Sequence, residues 1–338
     1  MRRWLALVAA ALLALPGCAS PEPEPVVTPS SPTVEPTTEQ PEDVTWPLTG
    51  VALSDPDLAR TSPVIGVKVE NSGPARPWVG LAAADLVFVE MVEGGMTRFH
   101  AVYQSQVPET IMPVRSLRPM DAAILGPWNA TLLASGGQAV FIARVETVVE
   151  LRTADRGDPG FHRDRSRRAP HNVYVATGEI VPTLPEPGEV VPFAEYDEVS
   201  PSTLGGEAAR EVRVVYPGAR SMWEYRTGDG TYARSDDGTP SVEVDGTRVF
   251  AHNVLLLQVT TRDTGRVDPA GNPVPETVLT GSGRLHLVTG GRVVAGTWSK
   301  GGDEDPFVLT DSAGEPLVLT PGTTWVELVP ERATATWS

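Results

Sequence analysis

The sequence predicts an α+β fold in which an N-terminal mixed α/β domain, residues 51–201, is followed by a mainly antiparallel β domain, residues 207–338. In the first part strand-like runs alternate with probable helices, whereas the second part consists of short β-branched runs separated by glycine-containing turns. A proline-rich stretch between them, residues 182–206, is the expected linker. A chain of 338 residues is long enough to form two domains of ordinary size.

The elements of the first part follow from hydrophobic periodicity. Strands are expected over 64–69, 85–92, 98–104 and 139–145, and helices over 77–84 and 120–135. The second part, from about residue 211 onward, has no helical periodicity, and its turns contain Gly beside Asp, Gly, Ala or Pro. The second part is therefore expected to consist of strands joined by tight turns.

Residues 1–17 have the features of a lipoprotein signal peptide. Two arginines precede an apolar run from Trp4 to Leu15, which is shorter than the about 20 residues that a membrane-spanning helix needs. The run ends in the sequence LPGC, which resembles the lipobox at which bacteria attach a diacylglyceryl group to a cysteine. We expect cleavage before Cys18 and acylation there, palmitate included, although Pro16 is an unusual residue at its position. The alternative is a plain secretory signal with an incidental cysteine.

Residues 18–50 are expected to carry the lipid anchor and a tether rich in Pro, Glu and Thr. Such a composition buries little apolar surface and favours extended polyproline II, so the tether should be semi-stiff. It would hold the folded body at the outer face of the cell membrane. A proline-rich ligand for another domain is the alternative interpretation.

Charge and cysteine content exclude several classes of protein. The 43 acidic residues outnumber the 27 Lys and Arg, and a net charge of −16 opposes nonspecific binding to nucleic acid. Cys18 is the only cysteine, so the chain has no internal disulfide, and a lipidated cysteine is not a nucleophile. The five histidines show no ligand spacing, and we expect neither a metal site nor a cofactor.

A hairpin is predicted where the glycine pair at 94–95 separates two strand-like runs, because glycine readily supplies the positive φ of a two-residue loop. This register places Glu93, Arg98 and His100 on one face of the hairpin and Glu90 on the other. The shared face would bind a ligand. Alternatively, it is a solvated sheet surface that carries an ordinary ion pair.

The sequence PVRSLRPMD at 113–121 contains two arginines three residues apart between prolines. Arg115 and Arg118 offer planar donors for a carboxylate or phosphate, and Asp121 is positioned to cap the next helix. We include Ser116 in this candidate anion site. The alternative is that both arginines pair with the protein's own carboxylates.

A third candidate is RAPHNVYV, with His171 and Asn172, which follows a locally basic stretch at 163–168. That stretch would receive an anionic polymer, or it is a loop neutralised by nearby acidic residues. Catalytic signatures of the common hydrolases are absent from the sequence. Glu90 and Glu93 are the weak candidates for an acid/base carboxylate pair.

The order of these motifs resembles the YerB-like bacterial lipoprotein family, a two-part domain of unknown function (DUF3048 N- and C-terminal domains). The resemblance rests on VENSGPARPWVGL, MPVRSLRPMD, RAPHNVYV, HNV, TWSK and PGTTW, and runs from about residue 62 to 330. It implies an anchored extracytoplasmic protein with a mixed domain before a β domain, and it brings no established catalytic residues. The chain departs from the pattern at 134–137, where it has ASGG and a HAGG-type segment is expected.

We therefore expect a membrane-anchored lipoprotein that faces outside the cytoplasm and binds a ligand or a protein of the cell envelope. An anionic cell-wall polymer is one candidate partner, and an envelope protein is the other. The expected ligand-binding residues are Glu93, Arg98, Arg115, Ser116, Arg118, Asp121, His171 and Asn172. Catalysis is the less favoured interpretation, and its form would be a cell-envelope hydrolase that uses Glu90 or Glu93 as acid or base.

Overall fold

A computed structural model describes residues 44–338. Cys18, the signal peptide and most of the predicted tether lie outside these residues. Within residues 44–338 the helices are short, and no helix has the length and apolarity needed to cross a membrane. The helices are α1 Pro56–Thr61, α2 Asp121–Leu125, α3 Ala139–Val145 and α4 Thr177–Ile180.

Strands dominate the described chain and the helices are few, in line with the predicted combination of mixed α/β and β-rich parts. The predicted order of a mixed domain before a β domain stays a prediction. The strands are β1 Ile65–Glu70, β2 Leu86–Met91, β3 Thr97–Tyr103, β4 Thr110–Ile111, β5 Thr131–Ala134, β6 Glu150–Thr153, β7 Phe161–Arg163, β8 Val173–Ala176, β9 Glu195–Tyr196, β10 Glu207–Ala208, β11 Glu211–Val215, β12 Arg220–Arg226, β13 Thr231–Asp236, β14 Thr239–Pro240, β15 Phe250–Ala251, β16 Asn253–Val267, β17 Pro273–Val278, β18 Gly281–Thr289, β19 Arg292–Lys300, β20 Val308–Asp311, β21 Val318–Leu319, β22 Thr324–Pro330 and β23 Thr334–Trp337.

Strands from both halves of the sequence form one 12-stranded sheet. Its main order is β10-β19-β18-β16-β22-β2-β3-β1-β5-β6, with β17 beside β16 and β20 beside β19. The late strand β22 lies between β16 and β2 and runs parallel to both. Residues 44–338 consequently belong to one compact unit, although the composition of the chain changes near residue 207.

The predicted linker also belongs to this unit. Phe193 and Val190 of the 182–206 stretch are buried in a core, and β9 pairs with β21. The body also begins before residue 51, because Leu48 is fully buried. The prolines of these segments correctly indicate irregular backbone. Such backbone still packs against a sheet where it carries apolar side chains.

Two apolar cores cover the two faces of the central sheet because side chains alternate along each strand. Val67, Val89 and Phe99 point to one face, where they pack against a second, six-stranded sheet, β14-β13-β12-β11-β23, with β15 beside β13. Phe88 and Leu132 point to the other face, which is covered by α2, α3 and the segments around β9 and β21.

Three predicted elements are wrong. The segment 77–84, expected as a helix, contains only a three-residue 3-10 turn, Leu81–Ala83, and Val79 forms a bridge with Met112. The helix expected over 120–135 ends at Leu125, because Gly126 and Pro127 follow, and β5 begins at Thr131. The run 139–145, expected as a strand, is the helix α3, which buries residues four apart on one side. Its β-branched residues favour a strand locally, and packing overrides that preference.

The predicted hairpin between β2 and β3 is present, but its loop has three residues, 93–95, rather than two. The backbone N–H of Val92 donates to the carbonyl of Met96 at 2.8 Å and closes the loop. Gly94 and Gly95 have φ values of 68° and 72°, a region that glycine enters without steric cost.

This loop shifts the predicted register by one residue. Glu90 pairs with Arg98, and Phe88 pairs with His100. Because side chains alternate with a period of two, the shift moves Glu90 onto the face that carries Arg98 and His100, where the two-residue loop excluded it.

A buried ionic network joins the two sheets. Arg234 on β13 donates two hydrogen bonds to Asp236, both 2.9 Å, and one of 2.8 Å to Glu327 on β22. The Tyr216 hydroxyl donates to the second oxygen of Glu327 at 2.8 Å, and the guanidinium lies 4.5 Å from the ring centroid of Trp325. Every charge in this network therefore has a partner, and all three charged side chains are buried between the sheets.

Replacing Arg234 with Met should lower the free energy of unfolding by about 3–5 kcal/mol, because two buried carboxylates lose their counter-ion. The matched control is Arg213→Met on the same sheet, where an exposed pair with Glu211 contributes no more than about 1 kcal/mol. Chemical denaturation measures both. Equal losses in the two variants would contradict the assignment of this network as the link between the sheets.

Candidate functional site

Charged side chains lie in two rows across β1, β3 and β2, on the face covered by α2. Lys68 and His100 are neighbours in the first row, and Glu70, Arg98 and Glu90 form the second row. The second row lies near the carboxyl-terminal ends of β1 and β2. Polarity therefore rises toward the carboxyl ends of these strands, where open α/β sheets commonly bind ligands.

The first row belongs to a fully buried ionic cluster. The Nζ atom of Lys68 donates to Glu90 and, at 2.7 Å, to Asp121 at the start of α2. Nδ1 of His100 lies 2.9 Å from the same Asp121 oxygen, and all four side chains are inaccessible to solvent. Asp121, predicted as a ligand residue, is therefore a buried partner of the lysine and is not open to solvent.

Mutual electrostatics shift the titration of this cluster. Burial and the charge of Asp121 raise the pKa of Glu90. Burial also raises the pKa of Asp121, but Lys68 and His100 outweigh it, and the net shift is downward. Burial lowers the pKa of His100, but Asp121 outweighs it and the net shift is upward. Asp121 is thus the carboxylate held ionised, and Glu90 is the one most easily protonated.

Glu90, His100 and Asp121 each offer one ligand atom, and these atoms lie within 4.8 Å of one another. This donor set suits a divalent cation, but the ammonium of Lys68 contacts both carboxylates. The lysine occupies the place that a cation would take, so the cluster is an ion-pair core.

The arginines lie above this cluster. Arg118 donates to Glu93 at 2.7 Å, and Arg98 donates to the carbonyl of Ser116 at 2.9 Å and lies 3.7 Å from Glu93. Burial, together with the like charges of Arg118 and Arg115, lowers the pKa of Arg98 to about 10. Burial raises the pKa of Glu93, but Arg118 outweighs it and lowers the net value. Three guanidinium groups are thus crowded together.

Backbone hydrogen bonds place these arginines at the ends of the parallel strands. The N–H of Arg115 donates to the carbonyl of Lys68 at 2.8 Å, and the N–H of Ser135 donates to the carbonyl of Arg115 at 3.0 Å. The segment 113–118 therefore crosses from the end of β1 to the end of β5. The N–H of Arg118 donates to Asp121 at 2.6 Å, which fixes the arginine segment to the buried cluster.

His171 and Arg115 meet at a carboxylate that sequence reasoning missed. Both carboxylate oxygens of Glu70 lie 3.0 Å from Nδ1 of His171, and one lies 3.6 Å from Nε of Arg115. The hydroxyl of Ser72 donates to Glu70 at 2.8 Å. Glu70 ends β1, and its role depends on the distant segments that fold against that end.

Asn172, a predicted ligand residue, instead holds the turn between β7 and β8. Its side-chain oxygen accepts from Arg163 at 2.9 Å, and its amide donates to the carbonyl of Asp164 at 3.2 Å. Arg167 of the basic stretch donates to the carbonyls of Ala75 and of the residue at 77. This turn is therefore tied to the body by its own polar groups.

Of the predicted ligand residues, the structure brings six together: Glu93, Arg98, Arg115, Ser116, Arg118 and His171. Among residues 44–338, the three guanidiniums form ion pairs with only two carboxylates, Glu70 and Glu93. In the part of the chain that the structure describes, Nε of Arg115, Nε of Arg118 and one oxygen of Glu93 are buried without a hydrogen-bond partner. We call this group, with Glu70, the arginine site.

Comparisons with known proteins cover most of the chain. Residues 48–188 match the family model "Protein of unknown function (DUF3048) N-terminal domain", and residues 212–326 match the DUF3048 C-terminal domain. The YerB lipoprotein of Bacillus subtilis (strain 168) is 27% identical over 306 residues, which are 86% of this chain and 88% of YerB.

A crystal structure of YerB from Bacillus subtilis superposes with a TM-score of 0.74 at 24% identity. The superposition covers 87% of this chain and 99% of that chain. This likeness shows that the two proteins share the fold across both sequence halves.

Replacing Lys68 with Met should lower the free energy of unfolding at neutral pH by about 3–5 kcal/mol, because Asp121 and Glu90 lose their buried counter-ion. Lys68 holds the pKa of Asp121 below its unfolded value, so the wild type loses stability as pH falls through the ordinary carboxyl range. The Lys68→Met variant loses less stability over that range. The difference in free energy of unfolding between the wild type and the variant should therefore narrow from pH 7 to about pH 4.

The control is Lys300→Met, since this lysine donates to the backbone carbonyl of Asp303 at 3.0 Å and contacts no buried carboxylate. Lys300→Met should lower the free energy of unfolding by less than Lys68→Met does. Urea unfolding at a series of pH values measures both variants. This account of the cluster would be refuted if the difference in free energy of unfolding between the wild type and Lys68→Met stayed constant or widened as pH falls.

Proposed function

The chain belongs to the YerB-like DUF3048 family, and from that premise we propose that it is a lipid-anchored protein of the cell envelope whose folded body binds an anionic group at the arginine site. The ligand class is a phosphate- or carboxylate-bearing polymer of the cell wall. An envelope protein that presents an acidic segment is the second source of the same chemistry.

The anchor is supported by the leader and by the relative. Residues 1–17 have a basic start, a short apolar run and a lipobox-like end at Cys18. The similar YerB protein is a lipoprotein by name. Several acyl chains on one residue hold a protein stably to a membrane leaflet, because each buried methylene contributes about 0.8 kcal/mol.

The crowding of Arg98, Arg115 and Arg118 carries the proposal of anion binding. Within the described range, 44–338, three positive charges pair with two carboxylates, and two guanidinium Nε groups have no hydrogen-bond partner. The Arg115 side chain is 27% exposed, so this guanidinium is open to an anion, and a charge-assisted hydrogen bond with an anionic oxygen is among the strong ones. The comparison within the protein is Arg234, whose hydrogen bonds to Asp236 and Glu327 complete its network without a ligand.

Neither Glu90 nor Glu93 fits the alternative of an acid/base carboxylate. Glu90 is fully buried against Lys68, so a glycosidic bond has no access to it. Glu93 is held by Arg118, which keeps its pKa below the ordinary carboxyl value, whereas a general acid needs a raised one. The geometry therefore supports binding at this face rather than catalysis by these two residues.

Arg115→Gln and Arg118→Gln should each weaken binding of inorganic phosphate and of glycerol-phosphate oligomers at least about tenfold, which corresponds to about 1.4 kcal/mol. Each change removes a charged donor from the site. Isothermal titration measures affinity, and circular dichroism checks that the variants remain folded. Arg213→Gln is the control, because it removes the same charge from an exposed pair on the second sheet. Equal affinity in all four proteins would exclude the arginine site as the binding site.

Cys18→Ala should move the protein from the membrane fraction to the soluble fraction of a bacterial host. The reason is that the thiol is the proposed attachment point of the lipid. Fractionation and labelling with radioactive palmitate measure the effect, with the wild-type chain as reference. Membrane association and labelling that persist without the thiol would contradict lipidation at Cys18.

A further inference from the structure

A basic turn connects β7 to β8 beside the arginine site. We use the name basic turn for residues 163–172, which contain four arginines and one acidic residue, Asp164. The sequence allows two interpretations of this stretch, an anion-binding surface or a loop neutralised by nearby acidic residues. Among residues 44–338, two of its arginines have polar partners for their side chains and two have none.

The two partnered arginines hold the basic turn in place. Arg163 donates to the side-chain oxygen of Asn172 at 2.9 Å, and Arg167 donates to the carbonyl of Ala75 at 2.9 Å. The backbone N–H of Asp164 donates to the carbonyl of Asn172 at 2.8 Å. These contacts set the conformation of the turn and join it to the segment that follows β1.

Arg165 and Arg168 carry the positive charge that remains. Both are exposed, and within the described residues neither side chain forms an ion pair or a hydrogen bond. The carboxylate of Asp164 accepts from the Ser166 hydroxyl at 2.7 Å and lies 3.9 Å from Nε of Arg167. The acidic residue of the turn thus offsets Arg167, and two guanidinium groups stay open to an anion.

Contacts through Glu70 join the basic turn to the arginine site. Nδ1 of His171 lies 3.0 Å from both Glu70 oxygens, and Nε of Arg115 lies 3.6 Å from one of them. The side chains of Arg115 and His171 are 27% and 21% exposed, so the accessible surface continues from one to the other. Arg168 lies three residues before His171, and its carbonyl accepts the N–H of His171 at 3.0 Å. The two positive regions are therefore neighbours on one surface.

We propose that the arginine site and the basic turn form one surface that binds a polymer with phosphate groups repeated along a flexible chain. One phosphate binds at the arginine site, and another phosphate of the same chain contacts Arg165 and Arg168. This inference rests on the proposed function and specifies its ligand as a polymer that is held at two places.

The separation of the two regions favours a polymer over a single anion. Once one phosphate is bound, the next phosphates of the same chain are held near the second region at a high effective concentration. An inorganic phosphate ion contacts only one region at a time. A folded acidic protein must present carboxylates at two matching positions, whereas a flexible phosphodiester chain adjusts to the spacing.

The test uses the full chain with two probes, inorganic phosphate and a glycerol-phosphate polymer. The double variant Arg165→Gln, Arg168→Gln should weaken binding of the polymer at least about tenfold, because the second contact is lost. Its affinity for inorganic phosphate should stay within about twofold of the wild type, because the arginine site is unchanged. Isothermal titration measures both affinities.

The matched control is the double variant Arg284→Gln, Arg292→Gln. It also removes two exposed arginines, from β18 and β19, and β18 lies five strands from β1 in the central sheet. This variant should bind both probes as the wild type does. Circular dichroism checks that both double variants remain folded.

The salt dependence of polymer binding gives a second readout. Each arginine that contacts a phosphate releases condensed counter-ions, so the logarithm of the association constant falls linearly with the logarithm of salt concentration. The slope should be shallower by about 1 to 2 in the basic-turn variant than in the wild type. Equal slopes in the two proteins would contradict direct contact between the turn and the polymer.

The other outcomes separate this inference from the proposed function. If the wild type binds phosphate and the basic-turn variant keeps its affinity for the polymer, the inference is overturned and the proposed function stands. If the wild type binds neither probe, both are overturned. Equal losses for both probes in the variant would assign the turn a structural role and overturn the inference. Polyglutamate that binds the wild type as tightly as the glycerol-phosphate polymer would overturn the choice of a phosphate polymer.

Discussion

The position of β22 between β2 and β16 is the constraint on which the rest of the structure depends. This late strand pairs in parallel with a strand from each half of the sequence, and its Glu327 reaches the second sheet through Arg234. The two halves therefore cannot separate without breaking a sheet and a buried ion pair. The strand ends of the first half therefore have fixed neighbours. The arginine site lies at these ends, so its residues are held in fixed positions.

Three ionic networks among the described residues differ in how completely their groups are paired. Around Arg234, each carboxylate and donor finds a partner, which is how a structural network avoids the cost of desolvated charge. Beneath the arginine segment, Lys68 and Asp121 pair with each other, and Asp121 also receives the N–H of Arg118, but Oε1 of Glu90 and Nε2 of His100 in the same cluster have no partner within residues 44–338. The arginine site above them differs in that its unpartnered atoms within residues 44–338 include two cationic donors, Nε of Arg115 and Nε of Arg118. A rigid base under an unsatisfied surface is the arrangement expected of a preorganised binding site.

Local sequence patterns indicated which segments form the candidate site, but they did not predict the register of the β2–β3 hairpin within it. The prolines around Arg115 and Arg118 and the glycines of the hairpin mark their segments directly in the sequence. Glu70 was missed because its importance arises from contacts with His171, about a hundred residues away. The predicted face of Glu90 was wrong because the sequence does not distinguish a two-residue loop from a three-residue loop. A shift of one residue moves each side chain of a strand to the opposite face.

The overall charge limits how the proposed site would recognise an anion. A net charge of −16 repels a polyanion at long range, but the Debye length at physiological salt is about 8 Å, so repulsion fades within a few atomic layers of the surface. Attraction then depends on direct contact with the three guanidiniums rather than on steering. Such a site selects ligands by the spacing and orientation of their anionic groups, because the field of the whole protein gives them no advantage.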